Sequence, residues 1–326
     1  MTALRTNVPM DLAELAAASP ERVQAILSSP AYWQALVQGT AAEALALGDD
    51  HRSAAAWGPD ATPVLSPVER AQAHAEVTRD GHTGIAGFLT PERSRSLAAA
   101  SLALLRHGWP ATFMLMFDDA WHLSRHLARA MQATVNDEVV LRYEMFVYCV
   151  DSTIPAARAR GIQAHRDAPG AGHDAREGQL HPRHCTAWLA LTDTDVHNGC
   201  IYVVPASQES AASKAGPIRE EEGVPLEVSA GTLLMWGGHV AHWGGIHDPA
   251  RAKGPRLAVT CVASVEPTWG LPPLPVSTAI GSAELPDLAT RLSFIAALMH
   301  GFGPAPDGSA VAGILAKLPP VPALAA

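Results

Sequence analysis

The sequence predicts a mainly β core, an antiparallel sandwich or jelly roll, flanked by helices and entered through a helical N-terminal extension. Three observations predict it. Five short runs rich in β-branched and aromatic residues lie between 139 and 264. Loops rich in Gly, Pro and His separate them, as turns between short strands require. Ahead of about residue 135 the chain is instead Ala-rich and helical in pattern.

Residues 1–70 form the predicted extension. SPERVQAILSSPAYWQALVQGTAAEALAL reads as two short helices, the first begun by Ser19 as cap with Pro20 in its first turn. GDDHRSAAAWGPDATPVLSP has the composition of a linker. From Ser66, VERAQAHAEVTRDG predicts a helix ending near Gly81, followed by the short apolar segment TGIAGFL. TPERSRSLAAASLALLRHG predicts a long amphipathic helix with Thr90 as cap and Gly108 past its end. The β runs are VVLRYEMFVYCV (139–150), CTAWLALT (185–192), CIYVVPAS (200–207), GTLLMWG (231–237) and RLAVTCVAS (256–264), within a β domain assigned to 71–284. Residues 285–326 comprise a closing helix, LPDLATRLSFIAALMHG (285–301), and a Pro/Ala-rich tail.

Composition narrows the function. The 326 residues are 48% hydrophobic and 17% charged, as in a compact globule. A net charge of −9 without a basic run excludes nucleic acid as the expected partner and leaves a small molecule. No apolar run approaches the roughly 18 residues of a membrane span. Asp11, Glu14 and Glu21 interrupt the N-terminus where a signal peptide needs an apolar stretch, so the expected location is cytoplasmic. The four cysteines (149, 185, 200 and 261) lack CxxC pairing and sit in apolar stretches, which predicts buried, reduced thiols.

Histidine is the anomaly. Eight of the 15 fall between positions 165 and 247, and histidine is the commonest metal ligand. Within that region His165-Arg166-Asp167 places an imidazole and a carboxylate two apart, on one side of an extended chain. Alone, an HxD is a weak signal. A third element strengthens it about 75 residues later: GTLLMWGGHVAHWGG, with His239, His242 and His247 as competing ligands. Two histidines and one carboxylate on one face, with open positions opposite, is the ligand set of non-haem iron(II) oxygenases.

The run from Arg79 to Ser264 resembles the phytanoyl-CoA dioxygenase superfamily, a branch of the 2-oxoglutarate oxygenases. The matching pieces come in order: RDGHTGIAGFLTPERSRSL, then HRD, Trp188 in AWLALTDTD, Asn198-Gly199-Cys200 leading into IYVVPASQ, the Gly231 strand with its histidine, and Arg256 opening the last strand. The resemblance implies a double-stranded β-helix, a jelly-roll or cupin-like core, binding iron(II) through His165, Asp167 and His242. It implies 2-oxoglutarate as co-substrate, dioxygen as oxidant, and hydroxylation or another oxidation of a small molecule, with succinate and CO2 released. Halogenating relatives lack the carboxylate, so Asp167 points to oxidation without halogen.

Arg256 is the expected anchor for the distal carboxylate of 2-oxoglutarate, because a planar guanidinium grips a carboxylate bidentately and stays charged. Arg251 is its rival by spacing, but lies in a Pro/Lys/Gly loop. Relatives often have Ser two positions after the distal histidine; this chain has Gly244, and it also has Pro205-Ala206-Ser207-Gln208 for Pro-Gly-Ser-His and an inserted DPARAK. APGAGHDAREGQLHPRH (168–184) reads as a long polar loop over the site. His173, Arg176, His181 and Arg183 there are candidates to meet a polar substrate, with a solvated loop as the alternative. Tyr143, Tyr148 and Trp188 are candidates to line the pocket, with packing in the barrel as the alternative. Two other functions compete: a cupin-like metal oxygenase or isomerase without 2-oxoglutarate, and a silent ligand-binding relative.

Overall fold

The computed structural model describes residues 9–48, 57, 65–169, 173–176, 179–265, 285–302 and 309–318, with backbone alone at 143, 175, 176, 179, 180 and 302. Most of the expected linker and parts of the C-terminal tail lie outside the described residues, as do the side chains of Tyr143 and Arg176. Helices α1 (Leu12–Ala17), α2 (Pro20–Leu27) and α3 (Pro30–Val37) come first, with Asp11 and Ser19 capping the first two through their side chains. Helix α4 (Pro67–Asp80) has a full capping box between Ser66 and Glu69 and ends at Gly81, whose φ of 77° suits a residue without Cβ. After β1 (His82–Ile85) come α5 (Pro91–Arg106), capped by Thr90, and α6 (Asp118–Val135).

The β core follows: β2 (Val140–Val150), β3 (His173–Arg176), β4 (Gln179–Pro182), β5 (His184–Ala190) and β6 (Ile201–Val203). A short α7 (Ala211–Ala215), β7 (Val224–Leu226), β8 (Leu233–Gly237), β9 (His242–Gly244) and β10 (Arg256–Ser264) complete it, and α8 (Leu288–Phe302) and α9 (Ala310–Leu315) close the chain. One antiparallel sheet runs β1-β8-β5-β10-β2 and a second runs β7-β6-β9. The expected jelly roll is what the chain forms, with helices against the outer face of the larger sheet.

Four details differ from the expectation. The 200–207 run keeps only Ile201–Val203 as strand, because Pro205 has no N–H to donate. The polar 168–184 segment contains the β3–β4 hairpin, paired from His173↔Pro182 to Arg176↔Gln179; its lack of β-branched residues hides it in the sequence. The Gly231 strand stops at Gly237, and the chain turns over Gly238–Val240 so that His242 lies in the smaller sheet. His165 occupies a single bridge rather than a regular strand.

The helical layer is tied down by charge as well as by apolar packing. Asp118 and Arg291 pair at 2.6 Å with both side chains almost fully buried. Arg291 also donates to the carbonyls of Pro286 and Met116, and Asp118 accepts from the Gly48 N–H. Lys317 donates to the carbonyls of Ala16 and Ala18, joining the first and last helices. All four cysteines are free and buried, and burial pushes each thiol up to about 12. Among the described residues no helix is long and apolar enough to cross a membrane.

Removing one partner of a buried ion pair strands the other's charge. Arg291→Ala is therefore expected to cost about 3–5 kcal/mol in urea unfolding. A loss below about 1 kcal/mol would mean that Asp118 finds another partner or water.

Candidate metal centre

Strands buried on both faces sort their side chains by parity. On β5, Cys185, Ala187 and Leu189 join the core beneath the helices, while His184, Thr186 and Trp188 face the smaller sheet. On β10, Leu257, Val259, Cys261 and Ala263 pack on the helices, leaving Arg256, Thr260 and Val262 on the opposite face. Strand β2 does the same, with Glu144, Phe146 and Tyr148 inward. The inward set encloses a cavity of about 320 Å3 between the two sheets.

At one end of this cavity the chain from 160 to 168 runs antiparallel to 238–246. His165 and His242 exchange backbone hydrogen bonds of 3.0 Å in both directions, and Ala168 donates to the Gly238 carbonyl at 2.7 Å. Directly opposed residues of an antiparallel pair project to the same side. The two imidazoles accordingly stand 4.3 Å apart, centroid to centroid. Asp167, two residues on, brings its carboxylate to the same point. Arg166 between them turns away, to Glu209 and the His239 carbonyl.

The tautomers follow from the partners. Nδ1 of His165 lies 2.7 Å from the Gln163 carbonyl, and Nδ1 of His242 lies 3.0 Å from that of Val240. A carbonyl only accepts, so each Nδ1 carries a proton and each ring, in its neutral form, presents a bare Nε2. Both Nε2 atoms face one oxygen, Asp167 Oδ1, at 3.2 and 3.6 Å. The other oxygen, Oδ2, accepts from Thr186 Oγ1 at 2.7 Å and from Trp236 Nε1 at 3.1 Å. Thr186 and Trp236 are themselves cross-strand partners on β5 and β8. One carboxylate oxygen is thus held and its twin is left facing two lone pairs. The three donor atoms lie within 4.8 Å of one another. Such a cluster of electron-pair donors fits a divalent cation bound by nitrogen and oxygen.

Electrostatics agree with that fit. Burial opposes the charge on Asp167, yet His165, which donates to it from Nε2 when the ring is protonated, the nearby His242 and the Thr186 hydroxyl outweigh it, and the carboxyl titrates well below its usual range. Burial depresses the His242 pKa against the pull of Asp167, which keeps that ring neutral and ready to ligate. For His165 burial is overcome by the contacts with Asp167, and its pKa rises.

Arg256 lies at the cavity's other wall, 3% exposed. One of its terminal nitrogens donates to the Gly199 carbonyl at 2.6 Å, and its charge sits 5.7 Å from the Trp188 ring. Its Nε is buried without a hydrogen-bond partner. Burial lowers this guanidinium to about 10, so it stays charged at neutral pH. A buried cation with an unused donor beside a donor triad is suited to a carboxylate. Arg251 is exposed in the turn after Asp248 and does not line the cavity. Gly244 has a physical reason: a Cβ there would stand 2.6 Å from the Gly161 Cα and 3.0 Å from an Arg256 nitrogen. Two glycines let the 161 and 244 backbones touch.

The competing histidines go elsewhere. His239 packs on His173 at 4.8 Å, and burial, helped by His173 and Arg166, lowers it to about 4. His247 lies 3.7 Å from the Asp151 carboxylate. Tyr148 and Trp188 do line the cavity, while His173 is not among its lining residues. Arg183 pairs with Asp174, and His181 lies near His74, away from the triad. Arg176 opposes Gln179 on the hairpin by its backbone. Sequence reading missed Thr186, Trp236, Glu144 and Arg158, all of which line the cavity. Inward parity on strands already assigned was the one signal that marked Thr186, Trp236 and Glu144.

Comparison with known proteins places this geometry in context. The family model described as phytanoyl-CoA dioxygenase (PhyH) matches residues 64–248. A solved structure of the epimerase SnoN in complex with Fe3+, alpha ketoglutarate and nogalamycin RO is 20% identical, covering 68% of this chain and 91% of its own, with a TM-score of 0.49. The non-heme alpha ketoglutarate dependent carbocyclase SnoK, from nogalamycin biosynthesis, is 17% identical over 68% of this chain and 92% of its own, at a TM-score of 0.47. AviO1 from Streptomyces viridochromogenes Tue57 is 20% identical over 64% of this chain and all (100%) of its own, at 0.44.

The Gly161–Gly244 contact makes a direct forecast. Gly244→Ser, which supplies the side chain common in relatives, is expected to destabilise by about 1–3 kcal/mol through overpacking, read as a lower urea midpoint. An unchanged midpoint would show that the two segments separate freely.

Proposed function

The chain belongs to the phytanoyl-CoA dioxygenase family, and on that premise we propose that it is an iron(II)- and 2-oxoglutarate-dependent oxygenase acting on a small molecule, with His165, Asp167 and His242 as iron ligands. The observation that carries this reading is the convergence of two bare Nε2 atoms on Asp167 Oδ1, with both tautomers set by backbone carbonyls. These three residues would hold the iron, which would supply the coupling of 2-oxoglutarate decarboxylation, to succinate and CO2, with oxidation of the substrate by dioxygen.

The chain's own residues supply the rest. Thr186 and Trp236 fix Oδ2, so Asp167 offers Oδ1 to the metal in one orientation. Trp236 packs on the His242 ring at 4.7 Å and limits its rotation. Arg256 grips the distal carboxylate of 2-oxoglutarate, unaided by the serine that Gly244 replaces. Aromatic walls of Phe146, Trp188 and Trp236 exclude water around the reacting carbon. The retained Asp167 favours hydroxylation, or a related oxidation, over halogen transfer. An enzyme of the same fold that dispenses with 2-oxoglutarate leaves the buried charge of Arg256 without a purpose.

Two experiments test the reading. Anaerobic protein loaded with iron(II) should bind one ion per chain and, on adding 2-oxoglutarate, develop a visible metal-to-ligand charge-transfer band. The His165→Ala, Asp167→Ala and His242→Ala variants should each lose the band and His239→Ala should keep it; a blank spectrum from the unmodified protein would sink the assignment. Separately, a buried charge-assisted carboxylate contact is worth about 2 kcal/mol or more, so Arg256→Ala should raise the KM for 2-oxoglutarate roughly 30-fold. Arg251→Ala should change it less than about threefold. The reverse ranking would move the anchor to Arg251.

A further inference from the structure

The cavity wall carries an acid that nothing in this scheme uses. Glu144 lies on β2 among the inward residues, between Arg142 and Phe146. The sheet becomes irregular beside it. On β10, Cys261 pairs with Met145 and Ala263 with Leu141, so the three residues 142–144 of β2 oppose the single Val262. A bulge of this kind re-aims side chains, and such bulges gather beside functional sites.

The surroundings of Glu144 are largely apolar, and none of the described residues gives it a hydrogen bond. Phe146, Trp236 and Val262 line the cavity with it. Every arginine nearby has other work: Arg142 donates to Ser264 Oγ at 2.6 Å, Arg166 pairs with Glu209, and Arg158 lies over the Tyr148 ring at 5.6 Å. Arg256 donates to the Gly199 carbonyl. Burial disfavours the charged form of the inward-facing His184. Among the described residues Glu144 makes no hydrogen bond or ion pair, although it opens into the cavity. Burial, then the Asp167 charge, raise its pKa to about 7 against the opposing Arg142, as for a carboxylate lacking a donor. An acid in an aromatic cavity without a donor of its own is matched by a ligand that brings a cation.

We propose that the cavity selects substrates bearing a protonated amine, with Glu144 as the hydrogen-bonded counter-ion of the ammonium group and the aromatic walls holding the adjoining hydrocarbon. This rests on the oxygenase reading above and narrows its substrate class. The opposite end of the cavity, at Arg256, is cationic and takes the dicarboxylate co-substrate. The two charged partners therefore enter at separate walls, and neither competes for the other's place.

The test uses three probes with one carbon skeleton: 4-phenylbutylamine, 4-phenylbutan-1-ol and 4-phenylbutyrate. Binding to the full chain is measured by calorimetry, with redox-inert Mn(II) and saturating 2-oxoglutarate. The amine should bind about tenfold or more tighter than the alcohol, with the carboxylate weakest. Glu144→Gln, nearly isosteric, should bring the amine to within about threefold of the alcohol and leave Mn(II) and 2-oxoglutarate binding intact. Equal affinity of alcohol and amine for the unmodified protein, an advantage of the amine that survives Glu144→Gln, or no binding of any probe would overturn the proposal. The first comparison needs no variant, so a folding defect does not decide the matter. Should Mn(II) and 2-oxoglutarate fail to bind, the oxygenase reading falls on its own, and amine against alcohol on the metal-free protein still decides the role of Glu144.

Discussion

Two backbone hydrogen bonds, exchanged between His165 and His242, are the constraint on which the site depends. They oppose residues 77 positions apart in sequence and set both imidazoles on one side of the pair. Side-chain bonds to Gln163 and Val240 then choose the tautomers, and Asp167 follows from its spacing alone. None of this needs long flexible side chains to search for a geometry. The donors converge because the backbone has already been placed, which is how a centre is held ready before any ion arrives.

That placement needs an immobile support, and the helices supply it. Strands β2, β5, β8 and β10 of the larger sheet pack one face against the helices and turn the other to the cavity, so a shift in either face is felt in the other. The ion pair of Asp118 with Arg291 and the bonds from Lys317 to the first helix lock that layer around the chain's two ends. The turn at Gly237–Val240 is where the chain leaves the rigid sheet to deliver His242 to its partner.

Much of this was legible in the sequence, and the illegible parts share a cause. The strands announced themselves by β-branched and aromatic content, and HxD with a later histidine named the three residues that the fold brings together. The carboxylate's supports did not appear, because Thr186 and Trp236 meet only through the register of β5 with β8, and register is non-local. Glu144 shares the inward parity of Phe146 and Tyr148, but what surrounds it in the cavity comes from strands distant in sequence. The long helix α6 also went unread, although its apolar stripe is clear. Among the three rival histidines, sequence offered position alone. The structure separates them by their neighbours, His173 for His239 and Asp151 for His247.

The close approach of Gly161 and Gly244 also bears on how such a site drifts over evolutionary time. Each glycine leaves no room for a Cβ on the other: the hypothetical carbon on Gly161 would stand 2.3 Å from the Gly244 Cα, and the reverse distance is 2.6 Å. Neither position can change first without strain, so the two are epistatically coupled. A lineage that has arrived at this pair has closed the route back to a serine beside the arginine, unless the segment from 158 to 165 moves as well. Variation that would alter the surroundings of Arg256 is thereby channelled away from position 244 and toward the segments that already hold its guanidinium, such as the one carrying the Gly199 carbonyl.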